Sequence, residues 1–242
     1  MSVRVAIVGA NGRMGRLAAR LIDEADDLEL HAAVGSADPI SLIDGADVVL
    51  DLTLPQSSQR VVEHAVRQGI DTVTGTSGWS SERISSLRRL VTAAPGVGVL
   101  VIPNFSIGSV LATSFAAQAA RFFDSIEIVE THHAAKIDSP SGTAVRTAEL
   151  IGEARSSLGP VIAPHADQRA RGQQVASVPI HSLRMQGVVA KQDVLFGGNG
   201  EVLTIAHETL SSSSYEAGIL LALRSAPGAE GVVVGLDALL QL

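Results

Sequence analysis

The chain has 242 residues, of which 46% are hydrophobic and 18% charged, enough apolar side chain for a core and too much for disorder. Eighteen basic residues against 25 acidic ones leave a net charge of −7, and aromatics are only 3%, which argues against a nucleic-acid partner. Cysteine is absent, which excludes disulfides, thiolate catalysis and cysteine-held metal centres.

The opening residues run straight into a strand pattern at Val3–Val8, without a basic segment followed by a long apolar one. No apolar run reaches membrane-spanning length, so a cytoplasmic protein with no membrane partner is expected. Further β-branched runs at Leu28–Val34, Val48–Leu52, Thr72–Thr74 and Val97–Ile102 predict strands. Helical patterns lie between them at Arg13–Glu24, Ser57–Gln68 and Ser81–Thr92. Near-continuous apolar strands alternating with helices predict a parallel sheet covered on both faces.

After Asn104 the pattern changes. A long apolar helix is predicted over Ile107–Phe123, a strand over Ser125–Thr131 and a helix over Gly142–Ser157. Residues 158–175 read as a loop. Strands follow at Val178–Arg184, Val188–Phe196 and Glu201–His207, the last two joined by a Gly-Gly-Asn-Gly turn. Ser213–Arg224 reads as a final helix. The fold class is α/β: a Rossmann-like parallel-sheet domain plus an α+β domain built on a mixed sheet, with a boundary near residue 105.

Gly9, Gly12 and Gly15 form a G-x-x-G-x-x-G turn directly after the first strand and at the start of the first helix. This is a variant of the dinucleotide fingerprint, in which glycine lets backbone N–H groups approach a pyrophosphate at a helix N-terminus. A ligand-free strand–helix turn is the bland reading, and the position in the chain favours the cofactor. Asn11, Arg13 and Met14 lie inside the turn, and Arg16 adds charge. At the tip of the second strand, where NAD folds place an acidic residue, stand Gly35 and Ser36, with Asp38 beyond. Losing that carboxylate removes a repulsion against a 2′-phosphate, so NADPH or dual use is favoured, with Ser36 and Arg13 as contacts.

The segment from His132 to Thr143 (His-His-Ala-Ala-Lys-Ile-Asp-Ser-Pro-Ser-Gly-Thr) is the richest in chemistry. It carries two of seven histidines and one of only two lysines, Lys136 and Lys191. A histidine suits general acid work, and a lysine supplies a compact counter-charge or a proton. Ser141, Gly142 and Thr143 open a helix and can cradle a carboxylate. The same residues also make an ordinary helix cap, and a strand-edge histidine is commonly just solvated. Neighbouring strand residues face opposite ways, so His132 and His133 share a cleft only if the strand has ended. No metal-ligand spacing is present, and no metal is expected.

These segments together resemble the 4-hydroxy-tetrahydrodipicolinate reductase (dihydrodipicolinate reductase) family, in its actinobacterial form. The likeness rests on the glycine turn with its preceding Val8, on Gly75-Thr76-Ser77-Gly78-Trp79, on Pro103-Asn104-Phe105-Ser106-Ile107-Gly108 and on the His132–Thr143 stretch. Val194–Gly197 and Glu201–Ile205 extend it toward the C-terminus. The resemblance implies an NADH- and/or NADPH-dependent reduction of a cyclic imine dicarboxylate with loss of water, in diaminopimelate and lysine biosynthesis. It implies a dinucleotide-binding domain of residues 1–105 and 214–242. Residues 106–213 would bind substrate and assemble a homotetramer.

Carried onto this chain, the likeness makes His132 an acid/base residue and His133 a substrate contact. Lys136 would bind substrate, either it or His132 would supply the proton, and Ser141, Gly142 and Thr143 would hold a carboxylate. Gly9, Asn11, Gly12, Arg13, Met14 and Gly15 would hold the pyrophosphate. Gly35 and Ser36 would lie at the adenosine end, and Gly75, Thr76, Ser77, Asn104 and Phe105 at ribose and nicotinamide, in a cleft between domains. Gly35-Ser36 depart from the family's acidic residue. Ser77 stands for the usual threonine and Trp79 for phenylalanine, and Ala134-Ala135 replace a pair that is often basic. Arg184 either completes an anionic pocket or is solvated. Two rivals remain open: a related reductase of another imine or oxo acid, and a non-catalytic nucleotide sensor on the same fold.

Overall fold

The structure, a computed structural model, describes residues 2–241. The chain divides into two units, Met1–Ile107 with Tyr215–Leu242, and Gly108–Ser214.

The first unit is built on six parallel strands. β1 (Val3–Val8), β2 (Leu28–Val34), β3 (Val48–Asp51), β4 (Asp71–Thr74) and β5 (Gly98–Val101) are the expected runs, trimmed at their ends. Their sheet order is β11-β5-β4-β3-β1-β2, where β11 (Gly231–Val234) is an edge strand that the sequence reading missed. All residues of β3 and β5 are buried, as strands covered on both faces must be. Helix α1 (Arg13–Asp23) buries Gly15, Ala18, Leu21 and Ile22, one stripe at helical spacing. Helix α2 (Pro55–Arg67) starts with Pro at a position where the missing N–H does no harm. Helix α3 (Ser81–Thr92) is capped by Ser80, whose side chain accepts from the Arg83 N–H. Trp79 packs on the apolar cluster of Val62, Val66, Leu87 and Val91 between α2 and α3. The chain runs from β1 to β2 on one side and to β3 on the other, so the sheet has its switch point between β1 and β3. Ligands of such sheets bind at the carboxyl ends of the strands beside that point.

In the second unit, helix α4 (Ile107–Ala119) ends in a 3-10 turn over Ala120–Phe122, so the predicted helix to Phe123 stops early. Strand β6 (Ser125–His133) runs two residues further than predicted. Helix α5 covers Gly142–Ala154. The predicted loop contains a short edge strand, β7 (Gln173–Val175). It leads to β8 (Val178–Met185), β9 (Ala190–Gly198) and β10 (Glu201–Thr209). The sheet order is β10-β9-β6-β8-β7. It is mixed, because β6 is antiparallel to β9 and parallel to β8. Gly198 pairs with Glu201, leaving an Asn199-Gly200 hairpin turn in which Gly200 has φ +82°. One face packs Ile126, Ile128, Ile180, Val194 and Phe196 against Ala116, Ala148 and Ile151 of the helices. Arg155 closes that core: Nη1 donates to the Ala120 carbonyl at 2.7 Å and Nη2 pairs with Asp124 at 2.9 Å. The chain then returns to the first unit through helix α6 (Glu216–Ser225), which follows a 3-10 turn at Ser212–Tyr215. A short helix α7 (Asp237–Leu240) follows β11.

Candidate active site

The glycine turn sits at the switch point. Gly9 has φ +89°, and a Cβ there would lie 2.6 Å from the Leu52 carbonyl oxygen. A Cβ on Gly15 would lie 2.3 Å from the Gly9 oxygen, so α1 can approach the turn only with glycine at this position. Gly12 caps α1 without a side-chain hydrogen bond, and no acidic residue stands in the first turn. The first N–H groups of α1 are therefore offered without a competing side-chain acceptor, as a pyrophosphate requires. A dinucleotide fits this cradle. Arg13 is exposed and Arg16 donates to the Asn11 carbonyl, holding the turn closed.

The neighbouring strand ends are laced by Asp51, a wholly buried carboxylate that the sequence reading missed. It accepts from the Thr53 N–H at 3.0 Å and hydroxyl at 2.6 Å, from Ser58 Oγ, and from Thr74 Oγ1 at 2.8 Å. The Thr76 hydroxyl donates to the Thr53 carbonyl at 3.0 Å. Asp51 thus ties the loop after β3 to the loop after β4 that carries Gly75, Thr76 and Ser77. Thr76 is buried and Ser77 exposed. Phe105 is only 4% exposed, and a Cβ on Gly75 would lie 2.4 Å from its ring. Asn104 Oδ1 accepts from the Ser106 N–H at 2.9 Å.

In the second unit the chemistry gathers at the end of β6. Ile126, Ile128, Glu130 and His132 share one face by strand alternation. The first two enter the core, Glu130 reaches the start of α5, and His132 lies beside Glu130. Glu130 is 0% exposed. Arg184, opposite His132 on β8, grips it with both guanidinium nitrogens at 2.9 and 2.8 Å. His132 Nδ1 lies 2.6 Å from Glu130 Oε2, and the Ser141 N–H donates to Oε1 at 3.2 Å. One buried carboxylate therefore fixes a histidine ring, an arginine and the entry of a helix.

Arg184 Nη2 also donates to the Asp138 carbonyl at 2.6 Å, which holds the 136–140 loop beside the same point. Lys136 Nζ pairs with the Asp138 carboxylate at 2.7 and 2.9 Å. The guanidinium of Arg184 is thus engaged by Glu130 and by backbone. Ser141 Oγ caps α5 through the Ala144 N–H, and a Cβ on Gly142 would meet nothing within 4 Å. Because β6 continues through His133, that residue points to the opposite face from His132 and is exposed. Among the described residues, no group of three metal-ligating side chains is placed to hold an ion. No helix among them is long and apolar enough to cross a membrane.

Burial pushes the His132 imidazole below its ordinary value of 6.5; Lys136 and Arg184 act in the same direction, and the Glu130 carboxylate opposes them. Burial also lowers His207. Burial works to raise Glu130, but its bonds to Arg184, Ser182 and His132 outweigh that and hold it below its ordinary 4.5. The native fold thus resists protons that the unfolded chain takes up. For the two histidines, stability present above about pH 6.5 is lost as pH falls through their lower native values. For Glu130 the loss begins below about pH 4.5. Melting at constant ionic strength should fall between about pH 7.5 and 5.5, and a rise over that interval would contradict these directions.

Residues 3–105 match the family model for the N-terminus of dihydrodipicolinate reductase, and residues 108–240 match the model for its C-terminus. The chain belongs to the dihydrodipicolinate reductase family. A 4-hydroxy-tetrahydrodipicolinate reductase from Clavibacter michiganensis is 64% identical over 242 residues, which is 100% of this chain and 87% of that one. One from Streptomyces griseus is 46% identical, over 99% of this chain and 98% of its own. A dipicolinate-bound dihydrodipicolinate reductase from Paenisporosarcina sp. TG-14 superposes with a TM-score of 0.83 at 32% identity, covering 98% of this chain and 99% of that chain. An amine dehydrogenase from Mycobacterium smegmatis shares the fold at 9% identity and a TM-score of 0.67, covering 98% of this chain and 96% of its own. Membership in the dihydrodipicolinate reductase family makes the chain an oxidoreductase of diaminopimelate and lysine biosynthesis that works with a nicotinamide cofactor.

Proposed function

We propose that the corner between β6 and α5 holds 4-hydroxy-tetrahydrodipicolinate while it is reduced to tetrahydrodipicolinate, with NADH or NADPH bound at the glycine turn. The observation that carries this reading is the convergence on buried Glu130 of His132, Arg184 and the start of α5, with Lys136 on the adjoining loop. Gly9, Gly12 and Gly15 would hold the pyrophosphate, with Asn11, Arg13 and Met14 around it. Gly75, Thr76 and Ser77 would meet the nicotinamide end, on loops fastened by Asp51, with Asn104 and Phe105 behind them. The cofactor supplies the hydride.

This chain's residues bind, orient and move the proton. A substrate carboxylate takes the place that a capping anion would occupy at the first turn of α5, beside Ser141, Gly142 and Thr143. Lys136 turns from Asp138 toward that anion and delivers the proton that accompanies the hydride. One hydride and one proton are added to the ring, and one water leaves. His132 donates its Nδ1–H to Glu130, so Nε2 is the nitrogen left to accept or relay a proton. A lowered pKa keeps it mostly neutral near pH 7, which makes Lys136 the better donor of the two. His133 lies on the far face of β6 and would contact substrate only from that side.

The open face of the second sheet supports assembly. Leu183 and Met185 stand on it 49% exposed, and Val202 69% exposed. That is apolar surface for further copies to cover, and it supports assembly into a homotetramer. A small-molecule reductase fed by the nicotinamide pool works in the cytoplasm.

The carboxylate cradle is tested at Gly142, where added atoms meet open space and the fold should not suffer. Calorimetric titration with pyridine-2,6-dicarboxylate should find one site per chain. Gly142→Val should weaken that site by about tenfold or more with an unchanged melting temperature. Equal binding by both proteins, or none by either, would move the substrate elsewhere.

A further inference from the structure

The tip of β2 carries glycine where a dinucleotide fold would offer a carboxylate to the adenosine ribose. Three residues later the chain turns back. Asp38 Oδ2 accepts a hydrogen bond from the Gly35 N–H at 2.8 Å. A Cβ on Gly35 would lie 3.2 Å from that same oxygen and 2.6 Å from Asn11 Nδ2. The Asp38 carboxylate and the Asn11 amide therefore crowd the space where a side chain at residue 35 would begin. Asn11 belongs to the glycine turn, so this space adjoins the pyrophosphate cradle. Asp38 is solvent-exposed and able to meet a ligand.

We propose that Asp38 is the specificity-determining carboxylate of the cofactor site, standing in for the missing acid at the tip of β2 and selecting NADH over NADPH. This rests on the reading that the first unit holds a nicotinamide dinucleotide at Gly9–Gly15. A ribose 2′-hydroxyl can donate to a carboxylate. A 2′-phosphate brings nearly two negative charges to the same place and is repelled. Arg13, exposed on the first turn of α1, is the nearby cation that works the other way, so selection is graded rather than absolute. Read without its fold, the Gly35-Ser36 tip lacks an acid and favours NADPH or dual use. The back-folded Asp38 reverses that expectation.

The test is equilibrium binding of NADH and NADPH, each titrated separately and followed by nicotinamide fluorescence, on the full chain and on Asp38→Asn and Asp38→Ala. Asparagine keeps an oxygen for the Gly35 N–H and removes only the charge. The unaltered protein should bind NADH more tightly. In Asp38→Asn the ratio of the two dissociation constants should move toward NADPH by about tenfold, and the shift should shrink as salt is added. Asp38→Ala should move it in the same direction. An unchanged ratio in both variants, or tighter NADPH binding by the unaltered chain, would overturn the assignment to Asp38. Failure of the folded, unaltered chain to bind either nucleotide would instead overturn the nicotinamide reading, and the role of Asp38 with it.

Discussion

Glu130→Ala is expected to be the most damaging single substitution in the second unit. It leaves the Arg184 guanidinium, the His132 Nδ1–H and the Ser141 N–H without their shared acceptor, a carboxylate that is itself fully buried. Removing one partner of a buried ion pair costs about 3–5 kcal/mol, because the remaining charge stays buried and uncompensated. For a chain of this length that corresponds to roughly 10 °C in melting temperature. Glu130→Gln separates structure from chemistry. Its volume is kept and one oxygen can still accept, but the new NH₂ faces donors only. It should cost about 1–3 kcal/mol. It should also displace the acid limb of the pH–rate profile downward, since the carboxylate is the group that raises His132. Thermal melts and pH–rate profiles of both variants check this. A Glu130→Gln enzyme with an unaltered profile would mean that Glu130 only fastens the fold.

Lys136→Met is expected to have the largest effect on turnover without a comparable effect on stability. Lys136 is held by the exposed carboxylate of Asp138, and pairs of that kind contribute little to folding. Loss of a positioned proton donor lowers kcat/KM by about a hundred- to ten-thousand-fold. Lys136→Arg divides the two duties assigned to this residue. Its guanidinium can still attract a carboxylate but does not give up a proton at working pH. It should leave KM within a few-fold of the unaltered value while kcat collapses. A Lys136→Arg enzyme with near-normal kcat would return the proton to His132.

The first five strands were legible because each is a short apolar run closed by a turn, and the glycine turn was legible because it lies between a strand and a helix. Of the two missed strands, β7 lacks such a pattern, whereas β11 is the short apolar run Gly-Val-Val-Val closed by Gly235 and was passed over beyond the last helix. β7 is Gln-Gln-Val on an edge, and β11 is four residues whose pairing with β5 comes from contacts far along the chain. Glu130 left a faint mark in the sequence. Ile126 and Ile128 point inward, so residue 130 must too, and an inward carboxylate two positions before a histidine on the same face is a usable signal. Asp51 closes a fully buried strand in a similar way. Arg184 stood out in the sequence, but only the fold reveals that Glu130 engages its charge. Asp38 is visible in the sequence, but the turn that brings its carboxylate back to the Gly35 N–H cannot be read from linear distance.

The most direct measurement is oxidation of NADH and NADPH, in separate reactions. The cyclic substrate is generated in place from pyruvate and aspartate semialdehyde by the preceding synthase, with pyridine-2,6-dicarboxylate as competitor. The predicted result is oxidation that requires the synthase, is blocked by the dicarboxylate and proceeds faster with NADH. A folded chain that binds nucleotide yet oxidises neither cofactor under these conditions would contradict the assignment of the reaction to these residues.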